Sequence, residues 1–86
     1  MHRRVEWMVA ADDQILHLLD QHRLDLSAAV IAHNVGYGKD HVRRRCKTLL
    51  DHGMIETADA EGGPYYRLAE RGQQYVAGEL HPSDLE

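Results

Sequence analysis

Five cationic side chains, Lys39, Arg43, Arg44, Arg45 and Lys47, fall within nine residues of an 86-residue chain whose formal net charge is -4. Guanidinium groups at this density are suited to holding phosphates and to making paired hydrogen bonds with guanine edges. A charge run can also be no more than a solvated surface, but nearly every other segment of this chain is neutral or acidic. The same window carries the apolar period of a helix. Val42, Cys46, Leu49 and Leu50 stand at i, i+4, i+7 and i+8, a stripe expected to be buried. With about 100° per residue, Asp40, Arg44, Lys47 and Thr48 lie roughly opposite that stripe, His41 is close by, and Arg43 and Arg45 flank it. A core-anchored helix presenting clustered arginines fits the major groove of double-stranded DNA.

Position on the helix assigns roles. Arg44, near the centre of the outward face, is the best base reader, whereas Arg43 and Arg45 at the sides either hold phosphates or pair with nearby carboxylates. Tyr37 and His41 stand where they touch bases or phosphates from the start of the helix, or else Tyr37 packs in the turn. Asp40 repels phosphate, so it either favours the positive helix N-terminus or accepts from a cytosine amino group. Ser27 is first of all a helix cap, and it completes the set expected at the DNA: Ser27, Tyr37, Lys39, Asp40, His41, Arg43, Arg44, Arg45, Lys47 and Thr48.

The elements that must position these residues are legible in turn. An arm, residues 1–9, precedes a helix expected from about Ala11 to His22, with Asp12 and Asp13 at its positive end and Ile15, Leu16, Leu18 and Leu19 facing inward. Arg23 to Leu26 link onward, with room for one short strand. Ser27 then opens a short helix, Ala28 to Asn34, whose small Ala28, Ala29 and Ala32 permit close approach. Asn34-Val35-Gly36-Tyr37-Gly38 is a tight turn, the basic helix runs from about Lys39 to His52, and Gly53 stops it at C′. Two helices joined by a glycine turn form a helix-turn-helix. Met54 to Ala58 and Tyr65 to Leu68 read as strands around a loop at 59–64, which makes a wing with Gly62 and Gly63 at its tip. A last helix is expected from Glu70 to Leu80, weakened by Gly72 and Gly78, before a polar tail at 81–86. The expected fold is mainly α with a small β-hairpin: a three-helix core, a wing and a C-terminal helix, in one domain over residues 1–86.

Other chemistries find no pattern. Of the seven histidines, His17 and His22 are five apart, as are His41 and Cys46, and a helix brings together residues three or four apart. There is no CxxC or HxxxH, no glycine-rich phosphate loop, and no nucleophile motif around Ser27, Ser83 or Cys46. Neither metal, cofactor, small-molecule ligand nor catalysis is therefore expected. The lone Cys46 falls on the apolar stripe, so no internal disulfide forms, and a reducing, cytoplasmic setting is the simplest reading. No apolar run approaches the roughly 20 residues that span a bilayer, and Glu6, Asp12 and Asp13 interrupt any signal-peptide core, which excludes membrane insertion and secretion.

The run Leu26-Ser27-Ala28-Ala29-Val30-Ile31-Ala32, then Gly36-Tyr37-Gly38, Val42-Arg43-Arg44-Arg45, Leu50-Asp51-His52-Gly53-Met54-Ile55 and Tyr66-Arg67-Leu68-Ala69-Glu70-Arg71-Gly72 resembles winged helix-turn-helix transcription regulators. Among these it is most similar to the phage phi-H repressor-like proteins of halophilic archaea. The resemblance runs from about Trp7 to Leu80. Its most specific pieces are the His-Gly-Met-Ile-Glu step into the wing and the Tyr-Arg-Leu-x-x-x-Gly step out of it. It implies sequence-specific DNA binding by a homodimeric regulator, a repressor, with the third helix in the major groove and the wing tip near the backbone or minor groove. Here those roles fall on Lys39 to Thr48 and on Asp59 to Pro64. The wing departs from the pattern, since Asp59 and Glu61 stand there without any Lys or Arg.

Two further expectations concern the whole surface. Fourteen Asp and Glu against eight Arg and two Lys describe a halophilic protein with a carboxylate-rich, lysine-poor surface. In 1 M salt the Debye length is about 3 Å, so only contact-range pairs survive, and clustered arginines suit that regime. A large apolar pair in the arm, Trp7 and Met8, must cover either the chain's own last helix or a partner's. The partner is preferred, which makes Trp7, Met8, Tyr75, Val76 and Leu80 the expected contacts of a homodimer. The competing function is a winged helix used as a protein-interaction module in a larger transcription or repair assembly, for which an acidic charge is natural. Charge geometry discriminates the two: arginines of the third helix neutralised by their own surface would favour the module.

Overall fold

A computed structural model describes residues 7–58 and 64–80. The order of elements is α1 (Ala10–His22), β1 (Leu26–Ser27), α2 (Ala28–Val35), α3 (Lys39–Asp51), β2 (Ile55–Ala58), β3 (Tyr65–Leu68) and α4 (Glu70–Val76). The three strands form one antiparallel sheet in the order β1-β3-β2. The expected hairpin is therefore extended by the short strand after α1, with Leu26 opposite Tyr66 and Ser27 opposite Tyr65. In β2 and β3, Glu56 faces Arg67 and Thr57 faces Tyr66.

One hydrophobic core joins the helices to the sheet. Ile15, Leu16 and Leu19 of α1, Ile31 of α2, Val42, Cys46 and Leu49 of α3, and Met54, Ile55, Tyr66 and Tyr75 are all buried in it. The predicted stripe of α3 needs one correction. Val42, Cys46 and Leu49 are 0% exposed, but Leu50 is only half-buried, because it lies at the edge of the stripe and packs against the core from outside.

Helix ends follow local chemistry. The Ser27 side chain accepts from the Val30 N–H at 3.3 Å and caps α2. At the end of α3 the Gly53 N–H donates to the Leu50 carbonyl and the Met54 N–H to the Leu49 carbonyl, the paired bonds of a Schellman motif with Gly53 at φ 72°. The same motif ends α4 four residues before the predicted Leu80: Gly78, at φ 78°, donates to Tyr75 and Glu79 donates to Gln74. Gly72 has a different purpose. A Cβ there would stand 2.1 Å from the Met54 carbonyl oxygen, the same oxygen that accepts from the Ala69 N–H. What looked like a weakness in the last helix is the gap through which α4 docks on the chain leaving α3.

Candidate nucleic-acid interface

Because Val42, Cys46 and Leu49 are sealed in the core, α3 cannot roll about its axis without exposing them, and its outward face is fixed. On that face Lys39, Asp40, Arg43, Arg44 and Lys47 are exposed, while His41 and Thr48 are half-buried. Ion pairs among the described residues include Arg45–Asp12, Arg67–Glu56 and Arg67–Asp25. Lys39, Arg43, Arg44 and Lys47 form no ion pair with a described carboxylate, so among the described residues the helix presents four unpaired cations. Asp40 sits in the first turn, where its charge complements the helix N-terminus.

Arg45 belongs to a different construction. Its Nε donates to Asp12 Oδ1 at 2.9 Å and its Nη2 to Asp12 Oδ2 at 2.7 Å, a bidentate pair. Nη2 also donates to the Trp7 carbonyl at 3.1 Å. The second Asp12 oxygen accepts from the Val9 N–H at 3.1 Å, so both oxygens of a carboxylate with 0% side-chain exposure are bonded. That hydrogen bond to Asp12 is the leading reason the Arg45 guanidinium holds its proton more tightly than usual. Of the two alternatives at the flank of the helix, Arg45 takes the carboxylate, and its donors are turned to α1 and the arm. Asp12 is the residue that sequence reasoning missed. It was visible as an acid in the first turn of α1, but its partner lies 33 positions away and nothing local announces it.

The remaining predicted residues fall as follows. Tyr37 is half-buried against the core, and its ring lies 5.4 Å from that of His41 at an interplanar angle of 37°, so the two form a unit at the start of α3. Thr48 donates its hydroxyl back to the Arg44 carbonyl at 3.3 Å. Gly62 and Gly63, with the rest of 59–63, lie outside the described residues, as do 1–6 and 81–86.

Two of the predicted dimer contacts are corrected. Met8 is 5% and Tyr75 1% exposed, both within this chain's own core, and the Tyr75 hydroxyl donates to Asp13 Oδ1 at 2.9 Å. They have no apolar surface to offer a partner. Trp7, Val76 and Leu80 are half-buried at the core's margin. Trp7 stacks on His52, just past α3, with ring centroids 3.8 Å apart and planes within 4°.

Cys46 is buried, and loss of hydration, reinforced by the Asp12 charge, pushes its thiol up to about 12. That is an inert core residue. Among the described residues no group of three or more His, Cys, Asp or Glu could hold a metal ion, and no helix is long and apolar enough to cross a membrane.

Known proteins align with this geometry. The winged helix-turn-helix phage repressor family matches residues 1–86. A repressor protein of Halobacterium phage phiH is 47% identical over 87 residues, covering 100% of this chain and 98% of that one. Two bacterial structures share the fold. The adhesin competence repressor of Streptococcus pyogenes superposes with a TM-score of 0.73 at 20% identity, over 92% of this chain and 60% of that one. ZitR of Lactococcus lactis gives 0.76 at 17% identity, over 91% and 54%. The chain thus spans little more than half the length of these two solved proteins.

Proposed function

Since this chain belongs to the winged helix-turn-helix phage repressor family, we propose that it is a DNA-binding transcriptional repressor that lays α3 in the major groove of its operator. The observation that carries this is the division of charge on α3. Four cations without a described carboxylate partner face outward from a helix whose opposite stripe is 0% exposed. Steric blocking of a promoter then requires only tight, specific binding, and no catalytic group.

Within this reading Arg44 reads a base edge, with Lys39, Arg43 and Lys47 on flanking phosphates. Tyr37 and His41 guard the entrance to the groove, and Ser27 holds α2 across the backbone. Arg45 is removed from the contact set, because its Nε and Nη2 donors are held by Asp12 and the Trp7 carbonyl. The protein-interaction module is not favoured, since a surface built for it would neutralise more than one arginine of α3.

The operator-binding unit is a homodimer. The Tyr75–Asp13 bond brings the end of α4 to the start of α1, and around that junction Val9 is 41% exposed while Val76 and Leu80 are half-covered. Two copies joined there would set their α3 helices to read half-sites about 34 Å apart, one turn of duplex. The lysine-poor, acidic composition and the Halobacterium phage source of the relative support work in concentrated salt inside a haloarchaeal cytoplasm.

Selection of bound sites from random duplex DNA, run at low and at molar salt, tests the proposal. Enrichment of a symmetric site at both supports it, and failure to enrich any site rejects it.

A further inference from the structure

Beside α3 lies a cleft of about 170 Å³, lined by the first turn of α2 (Ser27 to Ala29), by Lys39 and Arg43 of α3, and by Pro64 and Tyr66 at the wing. That is far more than the roughly 10–15 Å³ a single water needs. Among the described residues no carboxylate lines it. Two cations and the positive end of the eight-residue α2 converge on it instead.

Tyr66 is the informative member. It is only 7% exposed, yet its hydroxyl has no hydrogen-bond partner among the described residues. No polar side-chain atom among the described residues is both sealed and unbonded, so the hydroxyl keeps some access to solvent, and Tyr66 is one of the residues that line the cleft. Tyr66 thus holds its ring in the core and keeps a hydroxyl that no described protein group bonds, a donor available to a ligand in the cleft. Loss of hydration raises its pKa further, against the opposing pull of Arg43, so it stays protonated and able to donate throughout the physiological range.

We propose that this cleft is the seat of one phosphodiester group of the DNA backbone, held by the Tyr66 hydroxyl together with Arg43 and Lys39, and that it sets the register of α3 in the groove. The assignment rests on the DNA-binding reading and adds a contact from the core-facing side of β3 that the charge pattern of α3 does not contain. Its chemistry is what a phosphate requires: two charged donors and a phenol hydroxyl in a concave site between the recognition helix and the wing root. Because the contact is to the backbone, it strengthens binding to all duplexes alike.

The test uses the full chain and a duplex that the wild type itself enriches. Tyr66→Phe removes one oxygen that no described protein group bonds, so its melting temperature should match the wild type. Its affinity should fall about tenfold on enriched and random duplex equally, the effect of one hydrogen bond to a charged acceptor. Arg43→Ala should also weaken both duplexes, and should in addition flatten the salt dependence by about one unit. Methylphosphonate substitution, one phosphate at a time, then locates the seat. At least one neutralised position should weaken the wild type but cost Tyr66→Phe markedly less. Wild-type affinity in Tyr66→Phe, or equal sensitivity of both proteins at every position, would overturn the seat while leaving DNA binding intact. A wild type that enriches no duplex would overturn the functional reading and the seat together.

Discussion

Arg44 and Arg45 are neighbours on one helix and have opposite fates. Arg44 stands exposed and forms no ion pair with a described carboxylate, whereas Arg45 is clamped to a carboxylate with 0% exposure. Their difference is a matter of 100° of rotation. One step around the helix turns an arginine from solvent towards α1, where the Asp12 carboxylate, itself held by the Val9 amide, and the Trp7 carbonyl accept from its fork of donors. A basic cluster read as a single functional unit is thus two units. One side supplies charge to a ligand, and the other locks the helix at the angle from which that charge is delivered.

The largest effect that separates the two sides is on stability. Arg45→Ala leaves the Asp12 carboxylate buried with only the Val9 amide, and breaking a buried pair in this way costs about 3 kcal/mol. Urea unfolding measures it, and a loss under 1 kcal/mol would mean that the clamp is not a structural element. Arg44→Ala should do the reverse. It should leave unfolding within about 0.5 kcal/mol of wild type and weaken binding to the enriched site by about 1 to 3 kcal/mol, with relaxed preference at one base pair. Equal losses on enriched and random duplex would remove its base-reading role.

The exposed pair of Arg67 with Glu56, at 3.0 Å with both side chains about half exposed, gives a scale for the buried one. Arg67→Ala should cost under about 1 kcal/mol of stability. A cost approaching that of Arg45→Ala would show that burial is not what distinguishes the clamp.

Cys46, one residue beyond Arg45 and on the core side, should have no effect at neutral pH. Burial raises its folded-state pKa from 9.0 to about 12. The unfolded chain therefore loses this proton first as pH rises, so the thiol's contribution is complete below about 9 and lost by about 12. Urea midpoints in that window should fall more steeply for wild type than for Cys46→Ala.

The sequence carried the helix-turn-helix and the wing strands because each rests on local signals: the period of Ile15 to Leu19, the cap at Ser27, the glycine after His52. α3 begins where expected, at Lys39, and ends at Asp51, one residue short of the expected His52. What was not legible needed a partner distant in the chain. Asp12 meets Arg45 across 33 residues and Tyr75 meets Asp13 across 62. Gly72 is explained only by the Met54 carbonyl against it. Met8 and Tyr75 looked like surplus apolar surface because composition does not reveal how much of it a core absorbs. The cleft that Tyr66 lines is assembled from three elements, so its place there is not legible from the strand and motif it belongs to in sequence.

The most direct test of the account is the salt dependence of duplex affinity, measured for the wild type and for a variant combining Lys39→Ala, Arg43→Ala and Lys47→Ala. Each phosphate contact contributes about 0.9 to the slope of log affinity against log salt, so the triple variant should be flatter by about 2.7, with its unfolding midpoint little changed. A slope that is the same in both proteins would contradict the claim that the outward face of α3 is what holds DNA.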